Sequence, residues 1–212
     1  PWLRLLYTYP GMISDNLIDL MASSEQLLPY LDIPLQHASP EVLKSMRRPS
    51  DIDWVRRTIA TMRERIPGLV VRTTMIVGFP TETEERFQEL YDFVQEMQFD
   101  HMGVFTYSPE EGTFAESLGD PVSAQEKEAR RERLMELQSR LALENKQALV
   151  GETLDVLVEG IDEEQAVIIG RTYRDAPEID GLVVANGRAE VGELTPVTIE
   201  GIGPYDLFGS QV

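Results

Sequence analysis

Residues 72–85 read RTTMIVGFPTETEE. Arg72, Thr74 and Ile76 alternate along one face of an extended segment, and Gly78 lets the backbone come close to a ligand where that segment ends. Phe79-Pro80 then turns the chain into a helix. Thr81 with Glu84 three residues on makes a capping box, and Phe87, Leu90, Tyr91 and Val94 follow at helical spacing. A strand that passes through a short turn into an amphipathic helix is the first half of a parallel crossover unit. The same alternation extends in both directions. Leu3 to Thr8, Tyr30 to Pro34 and His101 to Tyr107 are further strand candidates, rich in branched or aromatic residues. Ile52, Val55, Ile59, Met62 and Ile66 mark a helix from about Asp51 that Pro67-Gly68 stops. The expected class is therefore α/β, a parallel sheet with helices packed outside it.

This first unit spans 1–122, and Gly119 to Val122 breaks its pattern. A long polar helix is expected over 123–149, where Leu134, Leu137, Leu141 and Ala148 form one narrow apolar stripe that fits a connecting helix laid along the sheet unit. From 150 to 212 the period shortens. Glu152 to Gly160, Gln165 to Arg171, Gly181 to Ala185, Pro196 to Gly201 and Tyr205 to Ser210 are short strand candidates separated by Gly, Pro, Asn and Asp. They predict a small five-stranded antiparallel barrel of the oligonucleotide-binding sort.

Composition narrows the functions. The 212 residues are 42% hydrophobic and 26% charged, an ordinary balance for a soluble fold. No run approaches the roughly 18 apolar residues of a membrane span, and no basic start leads into an apolar stretch, so the cytoplasm is the expected compartment. Cysteine is absent, which excludes disulfides, thiolate metal ligands and a Cys nucleophile within this chain. No Walker loop, GxSxG elbow, HExxH or Gly-rich dinucleotide turn supports phosphoryl transfer or serine hydrolysis. The strongest signal is charge: 19 Lys+Arg against 37 Asp+Glu give −18. Residues 150–212 hold three arginines, no lysine and 13 acidic side chains, so net −10 lies on under a third of the chain. Such a surface repels a polyphosphate backbone and attracts a basic partner.

Three segments sit where parallel strands end, the usual rim of an active site. LDIPLQHAS (31–39) presents Gln36 and His37, which either face a ligand or cap the helix that Pro40 begins. RTTMIVGFPTETEE is the second. FTYSPEEGTFA (105–115) places Phe105, Tyr107 and Ser108 beside a turn at Gly112, where an aromatic ring either stacks on an adenine or closes the core. In the barrel, YRDAPEIDG (173–181) gathers Asp175, Glu178 and Asp180 around Pro177. Those carboxylates either pair with lysines and arginines of a partner or cap tight turns.

In this order and spacing, LDIPLQHASPEVLKSMRRP, TTMIVGFPTETEERF and FTYSPEEGTFA resemble the second half of the radical S-adenosylmethionine (SAM) domain of the methylthiotransferases, and the small barrel resembles their TRAM domain. GRTYRDAPEIDG (170–181) is close to the pattern of members that modify a ribosomal protein; tRNA-modifying members are more basic there. Thr81 stands where the family usually has Gly. The resemblance implies residues 1–122 as the carboxyl-terminal half of a partial (β/α) barrel, 123–149 as its connecting helix and 150–212 as a TRAM domain for substrate recognition. It implies that Gln36, Arg72 and Thr74 contact the ribose or amino-acid part of SAM, that Gly78 allows close backbone approach, and that Phe105 and Tyr107 line the adenine. It also implies two 4Fe-4S clusters with ligands outside this chain, which begins partway through a domain and is expected to be inactive alone. The implied reaction uses a 5′-deoxyadenosyl radical to take hydrogen from the β-carbon of an aspartate in small-subunit ribosomal protein number twelve, followed by methylthiolation. Partners would be that basic polypeptide, bound partly through Asp175, Glu178 and Asp180, and a reductant protein. Three alternatives stay open: a tRNA-modifying member, a noncatalytic RNA-binding protein with this barrel, and an unrelated parallel-sheet enzyme with an accessory barrel.

Overall fold

The computed structural model describes residues Trp2–Val212, which divide within one helix into compact units made essentially of Leu3–Gln138 and Ser139–Val212. Pro1 lies outside the described residues. In the first unit four strands, β1 (Leu3–Leu5), β2 (Leu27–Asp32), β3 (Val70–Val77) and β4 (His101–Thr106), form a parallel sheet in chain order. Between them run α1 (Asp15–Ser23), α2 (Pro40–Ser45), α3 (Ile52–Arg65) and α4 (Glu84–Met97). The alternation read in β3 is present: Thr73, Met75 and Val77 are buried, whereas Arg72, Thr74 and Ile76 on the opposite face are half-buried. α3 starts where Asp51 accepts the Trp54 N–H at 2.8 Å and buries Ile52, Val55, Ile59 and Met62. Each such fully buried side chain contributes about 1.5–3 kcal/mol.

The start of α4 differs from the capping box expected at Thr81. Glu82 N–H bonds Phe79 C=O at 2.8 Å, so residues 79–82 form a turn and the helix begins two residues later. Thr83 is the cap, accepting the Arg86 N–H, while the Thr81 hydroxyl is buried with no partner. Phe87, Leu90 and Val94 are buried as expected, joined by Phe93 and Met97; Tyr91 is only half-buried.

The connecting helix α5 spans Ala124–Lys146, with Ser123 Oγ accepting the Glu126 N–H at 3.1 Å. Leu134, Leu137 and Leu141 are buried, but Ala148 is exposed in a 3-10 turn past the helix end, and Ala142 is buried instead.

In the second unit, β5 (Thr153–Asp162), β6 (Val167–Arg171), β7 (Val183–Asn186), β8 (Leu194–Ile202) and β9 (Leu207–Gln211) close a barrel in the order β5-β6-β7-β9-β8 around Val156, Val158, Ile168, Val183, Val197 and Ile199. The barrel is mixed rather than wholly antiparallel, because β7 pairs β9 in parallel. Parity requires this: strand directions cannot alternate all the way round a closed ring of five, so one junction must be parallel.

Candidate functional site

A cleft of about 590 Å³ opens at the carboxyl ends of β3 and β4, lined among others by Gln36, Arg47, Phe105, Tyr107 and Phe114. Gln36 is held by the backbone. Its N–H bonds Thr74 C=O at 2.9 Å and its C=O accepts the Ile76 N–H at 2.8 Å, which extends sheet pairing beyond β2. With φ at 77° it sits in the left-handed region, where a non-glycine residue is strained. Its side-chain Oε1 is buried and has no hydrogen-bond partner.

Tyr107 is fixed from three sides. Its N–H bonds Val77 C=O at 2.8 Å, its C=O accepts Lys127 Nζ at 2.8 Å, and its ring meets Phe79 edge-on at 5.0 Å. Val42 and Phe79 pack with it, and Ile76 covers the group. The Tyr107 hydroxyl is likewise buried without a partner. Burial, followed by the Asp120 and Glu116 carboxylates, pushes it above its ordinary range, so it enters the cleft as a neutral donor. Phe105 is 61% exposed at the same rim and presents an apolar ring to the cleft. An unmet acceptor, an unmet donor and an open ring form a cavity with unfilled polar capacity; buried polar groups elsewhere in proteins are nearly always paired.

The other residues singled out in the sequence do not line this cleft. Arg72 donates to Asp32 Oδ1 at 3.1 Å on the neighbouring strand, and Asp32 is 1% exposed. Thr74 lies on the half-buried face of β3, opposite Gly103 of β4. Gly78 does adopt a positive φ of 74°, but the group that comes close is the Lys127 side chain, into whose methylenes a Cβ would run. Its N–H donates to Glu82 at 2.8 Å.

That bond belongs to a network the sequence did not reveal. The Glu82 side chain is fully buried and accepts from Gly78 N–H, from Arg130 Nη1 at 2.6 Å and from His37 Nε2 at 2.9 Å. His37 Nδ1 accepts the Ser39 N–H at 2.9 Å, which fixes Nε2 as the nitrogen carrying the proton. His37 is therefore a brace between the β2–α2 and β3–α4 turns, and Arg130 ties both to α5. Glu82 stands among three acidic residues within four positions, so residue type alone could not mark it as the buried one.

In the barrel, Asp175 is 4% exposed and accepts the Thr172 hydroxyl at 2.8 Å, and Asp180 accepts the Ala176 N–H at 2.8 Å. These two carboxylates shape the loop. Glu178, with φ at 68°, is the exposed member of the three.

Comparison with known proteins places these units. Residues 1–94 match the radical SAM superfamily and residues 150–212 the TRAM domain. The chain is 49% identical, over 100% of its length and 47% of the relative's, to a ribosomal protein uS12 methylthiotransferase RimO of Cellvibrio japonicus. It is 47% identical to the protein so named from Aquifex aeolicus, over 98% of this chain and 49% of that one. The chain thus spans about half the length of these relatives. Among solved structures, coproporphyrinogen III oxidase (HemN) from Escherichia coli, a radical SAM enzyme, superposes with a TM-score of 0.56 over 94% of this chain and 46% of its own at 16% identity, a likeness of fold.

Proposed function

We propose that this chain is the part of a RimO-type radical SAM methylthiotransferase that carries a portion of the radical SAM barrel followed by a TRAM domain, and that it holds SAM and docks the substrate of such an enzyme. The substrate is proposed to be the small-subunit ribosomal protein, modified in the cytoplasm at the β-carbon of an aspartate. One observation carries the SAM assignment: the cleft at the ends of β3 and β4 holds a buried acceptor, Gln36 Oε1, and a buried donor, Tyr107 Oη, both without partners. A nucleoside with donors and acceptors on its edges and a flat base fits that set, with the base on Phe105 and the ribose hydroxyls within reach of Gln36. Arg72 and Thr74, on the same face of β3, are proposed to orient the amino-acid end of SAM.

When bound, SAM and two 4Fe-4S clusters supply the radical and the sulfur chemistry. The chain contains no cysteine, so the cluster ligands come from outside it and the chain alone is inactive. What its own residues do is bind, orient and exclude. Gln36, stapled on both sides to β3, holds one edge of the ligand; Tyr107 donates a proton without giving it up; the Glu82, His37 and Arg130 network keeps the two turns beneath them rigid.

The barrel meets the substrate through charge. With three arginines against 13 acidic side chains it favours a basic polypeptide, an attraction that reaches roughly 8 Å at physiological salt. Asp175, Glu178 and Asp180 were the expected partners of its lysines and arginines. With Asp175 and Asp180 bonded within the loop, Glu178 and other exposed acids, such as Glu190 and Glu200, are proposed to provide the contact. The test uses the full-length protein containing this chain, reconstituted anaerobically with clusters and incubated with SAM, sulfide, reductant and purified small-subunit ribosomal protein. Mass spectrometry should find one methylthio group on an aspartate, and none when that residue is asparagine. Modification of transfer RNA under the same conditions, with the polypeptide untouched, would overturn the assignment.

A further inference from the structure

Arg47 stands just past Met46, the cap of α2, and lines the cleft, yet no ion pair joins it to any carboxylate of the described residues, in a chain whose acids outnumber its bases nearly two to one. Its guanidinium lies over the Phe114 ring, 4.1 Å from the centroid. Arg48 beside it is braced in the same way, 5.0 Å over Tyr9, with its Nη2 on the Pro34 carbonyl and its Nε buried without a partner. A guanidinium stacked on a ring uses its flat face and leaves its edge donors pointing outward, the fork that matches a carboxylate. The backbone fixes where the side chain starts, since the bonds of Arg47 N–H to Lys44 and Arg48 N–H to Leu43 end α2 there. Arg47 has φ at 55°, a left-handed position after a helix where glycine is ordinary and arginine is strained. A guanidinium stacked on a ring and joined to no carboxylate, at the mouth of a cleft whose deeper polar atoms also lack partners, is placed for a guest.

We propose that Arg47, braced on Phe114, is a carboxylate-binding residue of the cleft. The proposal rests on the function proposed above, which brings two carboxylates to this place: the amino-acid end of SAM and the side chain of the target aspartate. Both present the same planar pair of oxygens, and the orientation of either would decide which hydrogen faces the reacting centre.

The test again uses the full-length protein. Arg47→Gly suits the left-handed backbone, so it should fold with an unchanged or higher melting temperature. Arg47→Lys keeps the charge and loses the fork. Calorimetric titration measures the binding of SAM, of decarboxylated SAM, and of the substrate polypeptide with either aspartate or asparagine at its target position. A carboxylate role predicts that Arg47→Gly weakens one carboxylate ligand at least tenfold, leaves its decarboxylated or amide counterpart within twofold, and is rescued only partly by lysine. Loss confined to SAM identifies the cofactor as the source; loss confined to the aspartate polypeptide identifies the substrate. Phe114→Leu should give a smaller loss of the same selectivity. If Arg47→Gly binds all four ligands as the wild type does, the inference is overturned while the function stands. A wild-type protein that binds neither SAM nor the polypeptide overturns both.

Discussion

Replacing Tyr107 by Phe should move stability and ligand binding in opposite directions. Without ligand the hydroxyl is buried and unpaired, a state that costs roughly 1–3 kcal/mol relative to a satisfied or absent group. Phe keeps the edge-on contact with Phe79, and the bonds to Val77 and Lys127 involve only the backbone of residue 107. The ligand-free variant should therefore be as stable as the wild type or up to about 1 kcal/mol more stable. With SAM bound, the wild type gains a hydrogen bond worth about 0.5–1.5 kcal/mol that Phe cannot make, so affinity should fall about 2- to 12-fold. At SAM one hundred times the wild-type Kd, ligand adds about 2.7 kcal/mol to the wild type but only about 1.4 kcal/mol to a variant bound tenfold more weakly. Chemical denaturation of the full-length protein with and without SAM reads both quantities. A third reading comes from pH. The folded state holds the Tyr107 hydroxyl above its usual value of 10.0, chiefly through burial, so its contribution is complete below that value and is lost as pH rises through the folded one. The wild type should thus lose stability above about pH 10 relative to the Phe variant. A ligand-free variant destabilised by more than about 1 kcal/mol, together with an undiminished gain from SAM, would refute the reasoning.

Glu82→Gln removes the buried carboxylate and leaves the buried Arg130 charge opposite only two carboxylates, Glu126 at 2.9 Å and Glu84 at 3.7 Å, both in contact with solvent, so equilibrium unfolding should show a loss of about 3 kcal/mol, and a double-mutant cycle with Arg130→Met a coupling above about 1 kcal/mol. Thr83→Ala should cost about 0.5–1 kcal/mol as a lost helix cap, at the low end because its bond is 3.4 Å long, whereas Thr81→Ala should be neutral or stabilising in the same urea titration. Asp175→Asn should lower the melting temperature of the barrel more than it weakens substrate binding, while Glu178→Lys should do the reverse by at most about 1 kcal/mol, an effect that added salt abolishes in a titration with the basic polypeptide.

How far each of these features was legible in the sequence follows from the range of the interaction behind it. The strands came from patterns within single segments, and every strand expected in residues 1–122 is present; their order in the sheet is a long-range property that those patterns do not carry. The rim positions of Gln36 and Tyr107 followed too, because a residue just past a parallel strand can only stand at its carboxyl end. Choices between near neighbours were harder. Thr81 and Thr83 are equally good caps by type, and the turn closed by Phe79 and Glu82 decides between them. Least legible were pairings across distance: Glu82 with Arg130, 48 residues apart, and Arg47 with Phe114, where either partner read alone is one more charged or aromatic surface residue.

Backbone strain gives those distant pairings a common sense. Six non-glycine residues among those described have positive φ: Tyr7, Gln36, Arg47, Gln98, Ala166 and Glu178. Two of them, Gln36 and Arg47, line the same cleft, and a third, Glu178, stands exposed on the loop proposed to meet the substrate. Each would be relieved by glycine, at a cost of order 1 kcal/mol while it is not. Gln98 has a local reason, as the left-handed residue that ends α4, its N–H on Val94 and its carbonyl on Arg63. Arg47 has the same kind of reason, as the left-handed residue after the α2 cap Met46, with its N–H on Lys44 and the Arg48 N–H on Leu43. Yet the side chains of Gln36 and Arg47 differ from that of an ordinary helix end in facing the cleft, Oε1 meeting nothing and the guanidinium only a ring. Backbone hydrogen bonds hold both positions in place, Gln36 through Thr74 and Ile76, and Arg47 through the two bonds that end α2, so what stays unmet at each is the side chain. Those side chains are met when an acceptor for Arg47 and a donor for Gln36 Oε1 arrive together, the chemical description of a ligand carrying both a carboxylate and hydroxyl or amino hydrogens.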